Sequence, residues 1–255
     1  MDISSYVMAM MLAFTRIAAF LFFIPFLRTN LIPAIAKITV AFSIALSVLP
    51  EMKEVAISNI PEFVGMLFTQ FLIGITLAFV VEIIFTAVRI AGGIMDMDTG
   101  FSAVNLIDPT SSQQTTIISN LLVLLYTIIF VAVGGINSLI YGITYSFKFT
   151  TVDYFAAQPT FYQMFMDLML YMFTAAIQIA LPVMATLFIL NIVILIIGKT
   201  APQLNIFMSM FAVKILVTFI FLYIALPYIG DVFGSLNDML MEKYMLAIDE
   251  IFTKR

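Results

Sequence analysis

Asp96 and Asp98 stand two residues apart just ahead of Gly100, and a close carboxylate pair is the feature of this chain whose chemistry is easiest to name. Two carboxyl groups that share one proton can do acid–base work. Such a dyad needs its two groups presented face to face, and here both lie in one glycine-bearing junction, with no second aspartate on a separate apolar run in a recognisable setting. Serine nucleophiles need a base, and the chain has 0 histidines, so only a Ser–Lys pair remains formally open. With 0 cysteines there is no thiol chemistry, no disulfide and no thiolate metal ligand. No catalytic residue, metal site or cofactor is therefore assigned, and an intramembrane hydrolase is the weakest reading.

The other chemistry-bearing residues are charges in apolar surroundings. Arg16, Glu82 and Lys214 interrupt long hydrophobic runs. A charge at mid-span costs about 2.5–3.5 kcal/mol even on the lenient insertion scale, so each is expected to face protein or water. Lys214 lies in FMSMFAVKILVTFIF, where another helix, another subunit or an aqueous lumen would have to receive it. Lys37, Arg89 and Lys199 stand near the ends of runs and are expected to snorkel to the interface. Glu82 and Arg89 share a helical face but are two turns apart, too far for routine pairing. A self-contained ion or small-solute transporter could use such charges. It would usually show repeated halves with matching broken helices, and Pro182 and Gly134-Gly135 do not occupy matching positions.

These residues need a membrane around them. The chain of 255 residues is 63% hydrophobic and 10% charged, with a mean hydropathy of +1.15, whereas a soluble domain carries about 25% charged residues. It reads as an all-α polytopic integral membrane protein. The net charge of −4 with scattered basic residues argues against nucleic-acid binding. The N-terminus lacks a basic region and cleavage site and reads as a first span. There are 0 tryptophans, leaving 10 tyrosines for any interfacial belt, and 18 methionines expected to fill gaps between helices.

About six apolar segments are predicted: Tyr6–Leu27, Leu31–Leu49, Phe63–Val88, the pair Ile117–Val133 and Ile136–Phe149 broken at Gly134-Gly135, Phe165–Ile197, and Leu204–Ile229. The run from Phe165 to Ile197 would extend roughly 50 Å as a helix, beyond a hydrocarbon core of about 30 Å. It must tilt, kink at Pro182, or be something other than a plain lipid-bathed span. Basic residues lean weakly toward an N-terminus on the outer side. The single membrane domain divides into N-terminal helices (1–95), a loop (96–116), C-terminal helices (117–230) and an amphipathic tail (231–255). Apolar residues at helical spacing in that tail suit docking on a partner better than on anionic lipid, because the tail is more acidic than basic.

The loop DMDTGFSAVNLIDPTSSQQTT mixes polar residues with Phe101, Val104, Leu106 and Ile107. By composition alone it could be an extramembrane connection. GKTAPQLNIFMSMFAVKI could likewise be a simple helical corner, with Pro202 opening a helix and Lys199 closing the one before.

Together, in this order and separation, the two stretches resemble the FliR family of flagellar protein-export components, related to injectisome type III secretion proteins. The first carries Gly100, Ser102, Asp108-Pro109 and Gln113-Gln114. The second carries Ala201-Pro202-Gln203-Leu204-Asn205 followed by Phe207, and the hydrophobic layout agrees along essentially the whole chain. The resemblance implies a non-enzymatic core subunit of the export gate in the bacterial inner membrane, at the flagellar basal body. It implies FliP- and FliQ-like partners that build a helical channel of bent hairpins, an FlhB-like switch protein as neighbour, and unfolded flagellar proteins as substrates. It also implies that the loop is a plug, with Phe101, Val104, Leu106 and Ile107 against the channel wall. Gln203 and Asn205 would then fix a tight assembly turn.

Overall fold

A computed structural model describes residues 3–28, 32–51, 59–101, 116–148, 159–200 and 206–252. All regular structure among them is helical. In chain order the elements are α1 (Ile3–Phe23), α2 (Ala34–Val48) with a 3-10 turn Leu49–Glu51, α3 (Ile60–Thr99), α4 (Ile117–Ala132), α5 (Gly135–Tyr145) with a 3-10 turn Ser146–Lys148, α6 (Pro159–Thr200) and α7 (Ile206–Phe252). Helix is what a lipid solvent demands, because it satisfies backbone groups within the segment. Hydroxyls inside the helices do likewise by donating back one turn, as Thr15 does to the Met11 carbonyl (2.8 Å) and Thr76 to that of Leu72 (2.9 Å).

Each of the six predicted apolar segments carries a helix over most of its described residues. Among the described residues four helices are long and apolar enough to cross a membrane, and α4 with α5 makes a bent pair, a broken span or a re-entrant loop, that turns by 68° at its break. Gly134, with φ +84, makes that break: it ends α4 and caps α5 in the left-handed region, which a residue with a Cβ enters at a cost. α2 is a shorter apolar helix. α3, α6 and α7 contain 40, 42 and 47 residues, so each is roughly twice as long as the ~30 Å hydrocarbon thickness requires. α6 continues through Pro182, whose carbonyl accepts from Thr186 Oγ1 (3.0 Å).

Two boundaries differ from the sequence expectation. α3 does not stop near Val88 but runs to Thr99, carrying Asp96 and Asp98 inside it. Gly92 and Gly93 weaken a helix without breaking it, and the first residue with an incompatible backbone is Gly100, at φ +99. The tail, in turn, is no separate element. α7 passes through Gly230 and Gly234 to Phe252, and its apolar stripe is consumed within the chain rather than left for a partner, with Phe233, Leu236, Leu240, Tyr244, Ala247 and Ile248 all buried.

The chain forms two compact units. The first comprises Met1–Ile84, Phe130–Met169 and Asp238–Arg255; the second comprises Phe85–Ile129 and Leu170–Asn237. In the first, α1 packs on α2, and Gly74 of α3 lies so close to α1 that a Cβ there would strike the Arg16 carbonyl and Ala19. Small residues permit such approach between helices in lipid. The end of α7 is held by Tyr244, whose ring covers Gly142 of α5 and lies 5.9 Å from the Phe20 ring, and whose hydroxyl donates to the Leu139 carbonyl (3.1 Å). The second unit is centred on edge-to-face contacts from Phe85 to Tyr126 (4.8 Å) and from Tyr126 to Phe233 (5.1 Å), joining α3, α4 and α7.

Candidate functional site

The residues around the end of α3 form a polar cluster of the second unit. The amide of Gly100 donates to the carbonyls of Asp96 and Met97 (both 3.2 Å), closing the helix. Thr99 Oγ1 bonds to the Met95 carbonyl (2.7 Å) and meets Thr218 Oγ1 of α7 at 3.0 Å. Lys214, one turn earlier in α7, donates from Nζ to the Asp98 carbonyl (3.4 Å), where the negative end of the α3 dipole favours a cation. Asn191 of α6 donates to Asp98 Oδ1 (3.1 Å). Phe101, the first residue past the glycine, is buried with its ring edge-on to Phe211.

The start of α4 is pinned to the same place. Asp96 accepts from the backbone amides of Ile118 (2.9 Å) and Ser119 (3.1 Å) through its two carboxylate oxygens. It therefore does for α4 what an N-cap residue does, satisfying amides that have no partner inside the helix and placing a negative charge at the positive end of its dipole. An aspartate near a helix C-terminus is unfavourable for its own helix, and here the neighbouring N-terminus compensates. Ser119 Oγ donates to the Arg89 carbonyl (3.0 Å), and Gly92 approaches so closely that a Cβ would overlap the Ser119 Cα.

The described residues that flank 102–115 on either side, the end of α3 and the start of α4, thus meet in one buried cluster. Asp96→Ala is expected to leave membrane insertion unchanged and to destabilise the fold by about 1–3 kcal/mol, the cost of buried amides left without an acceptor. Thermal denaturation of the detergent-solubilised protein measures it, and an unaltered midpoint would remove the clamp from the account.

The aspartates do not form a proton-sharing dyad. Residues two apart on a helix do not face one another, and Asp96 and Asp98 have different partners. No group of three or more potential acidic metal ligands occurs among the described residues. Arg16 belongs to the first unit, buried at 2% exposure. It donates from Nε to Gln70 Oε1 (2.6 Å) and from Nη1 to the Ser146 hydroxyl (2.8 Å) and carbonyl (3.1 Å), and its guanidinium lies 4.0 Å from the Phe147 ring centre. It ties α1 to α3 and to the end of α5. Glu82 and Lys214, by contrast, are only half-buried.

Of the loop positions singled out in the sequence, Gly100 and Phe101 are in the cluster just described. Ser102, Val104, Leu106, Ile107, Asp108, Pro109, Gln113 and Gln114 lie outside the described residues, as do Ala201, Pro202, Gln203, Leu204 and Asn205 of the assembly turn. Phe207 lies in the first turn of α7. Sequence reading overlooked Gly92, Ser119, Asn191 and Thr218. Gly92 is a small residue of the kind that lets helices approach in lipid, but Gly93 beside it carries the same letter, so the sequence does not single it out.

Helix as the regular structure of the described residues, together with several long apolar spans, defines a polytopic membrane protein. A family model described as bacterial export proteins, family 1, matches residues 7–240. The chain is 31% identical over 240 residues to the flagellar biosynthetic protein FliR of Bacillus subtilis (strain 168), covering 92% of each chain. It is 28% identical over 226 residues to FliR of Aquifex aeolicus (strain VF5), covering 88% of this chain and 87% of that one. To the surface presentation of antigens protein SpaR of Shigella flexneri it is 25% identical over 212 residues, covering 83% and 82%. The chain belongs to the FliR family of type III export proteins.

Proposed function

We propose that this chain is a core subunit of the flagellar type III export gate in the bacterial inner membrane. With FliP- and FliQ-like subunits it forms the channel that passes unfolded flagellar proteins, beside an FlhB-like switch protein. The observation that carries the reading is the match to an export family over residues 7–240. The share of each chain covered, 92%, in the comparison with the Bacillus subtilis protein named for flagellar biosynthesis favours flagellar over virulence-type secretion. Helices longer than a bilayer requires suit a subunit surrounded partly by other subunits, and α6 offers them apolar side chains such as Phe188 (64% exposed) and Leu195 (67%). Arg16 engaged with Gln70 and Ser146 supplies no support for a self-contained transporter.

Residues 102–115 act as the plug in this reading. A seal must keep its position while its tip gives way to substrate, and a loop fastened at Asp96, Thr99 and Lys214 has the fixed base such a device needs. Non-helical backbone at membrane depth is tolerated inside protein or a water-filled cavity. Deletion of residues 106–114, leaving both fastened ends, is expected to preserve complex formation while making cells permeable to ions and small solutes. Dye uptake and membrane-potential measurements test it. Unchanged permeability in cells that contain the assembled complex would count against a seal.

A further inference from the structure

The first unit contains an apolar cavity of about 200 Å³. Its wall comes from the end of α1 and the turn after it (Phe20, Ile24, Leu27), from α2 (Ala36, Val40) and from α5 (Ile140), and Lys37 stands in the lining as its one charged residue. At roughly 30 Å³ per water-sized group, the space takes a short length of hydrocarbon chain. Ala36 and Val40 are exposed, so the cavity opens on the outer surface of α2. The Lys37 ammonium lies 5.6 Å from the Phe22 ring centre. Arg28, directly after the lining residue Leu27, is exposed as well. An apolar recess beside two cations matches a molecule with a hydrocarbon tail and an anionic head.

We propose that this recess holds one acyl chain of an anionic glycerophospholipid, with its phosphate group held by Lys37 and Arg28. Lys37 is in the lining itself, and a lysine stem can lie along apolar surface while its ammonium reaches an anionic headgroup. Long-range attraction between basic residues and anionic headgroups supplies the preference, and the recess supplies a fixed place for one chain that bulk lipid does not occupy. α2 also begins at Ala34 without a side-chain cap, so the positive end of its dipole adds to the two cations. The site lies wholly in the first unit, and it is independent of the proposed gate function.

The test is native mass spectrometry of the full chain released from vesicles of equimolar phosphatidylglycerol and phosphatidylcholine. The wild type is expected to retain one phosphatidylglycerol, at about a fivefold preference, the scale of a single basic residue at an anionic surface. Lys37→Gln keeps the cavity and should retain lipid with that preference reduced, Arg28 remaining. Ala36→Phe places a ring in the recess from its open side and should retain neither lipid, while its thermal midpoint stays near that of the wild type. Equal retention of both lipids by all three proteins would mean annular lipid only and would overturn the proposal. Retention of a protein partner or of no lipid by the wild type would overturn it too.

Discussion

Arg16→Leu is expected to insert into the membrane at least as well as the wild type and yet to fold poorly. The substitution removes a charge from α1, which eases insertion by about 2.5–3.5 kcal/mol on the lenient scale. It also leaves Gln70 Oε1 and the Ser146 carbonyl without the guanidinium that donates to them. Buried neutral acceptors left without a donor cost about 1–3 kcal/mol each, because they stay away from water. The two effects have opposite signs and are measured separately: glycosylation-mapped insertion reports the first, and protease resistance with thermal denaturation in detergent reports the second. Arg16→Lys should fall between, since an ammonium cannot reproduce a fork reaching Gln70 and Ser146 at once. If Arg16→Leu resists protease as well as wild type but loses export, the arginine serves transport rather than the fold.

Gly92→Val is expected to separate α3 from α4. A Cβ at this position overlaps the Cα of Ser119, which is backbone and cannot turn away as a side chain can. Any shift that relieves the overlap draws the Ser119 amide from Asp96 and its hydroxyl from the Arg89 carbonyl. Overpacking alone costs about 1–3 kcal/mol, and the two lost bonds add to it, so this substitution should abolish a stable folded protein in detergent. The neighbouring glycine is the control. A Cβ on Gly93 meets nothing within 4 Å, and alanine there should be neutral or stabilising by up to about 1 kcal/mol through helix propensity. Equal effects at the two positions would contradict the close approach of Gly92 to Ser119.

The contrast between these adjacent glycines shows what a sequence can and cannot carry. Lipid as solvent makes the apolar segments legible, since a run such as EFVGMLFTQFLIGITLAFVVEIIF has one way to satisfy its backbone. The end of such a run is less legible. Asp96 reads as a loop residue because it opens a polar stretch between two apolar runs, and the N-terminus it caps belongs to a helix that starts only at Ile117. The break at Gly134 was readable, because a left-handed residue recruits glycine. Gly230 and Gly234 carry the same letter inside a continuous helix. Tail residues Leu240 and Tyr244 announce an apolar stripe but not what covers it. The bond from Tyr244 to Leu139, 105 positions away in sequence, answers that. The family resemblance rests on residues 100–122 and 198–215, where the letters themselves carry the pattern and helix periodicity does not.

Co-expression of this chain with its cognate FliP- and FliQ-like proteins, followed by native mass spectrometry of the extracted particle, tests the gate-subunit account most directly. The account predicts a discrete hetero-oligomer containing one copy of this chain among several copies of its partners. A monomer or homo-oligomer of this chain, recovered while both partners are present and unbound, would contradict it.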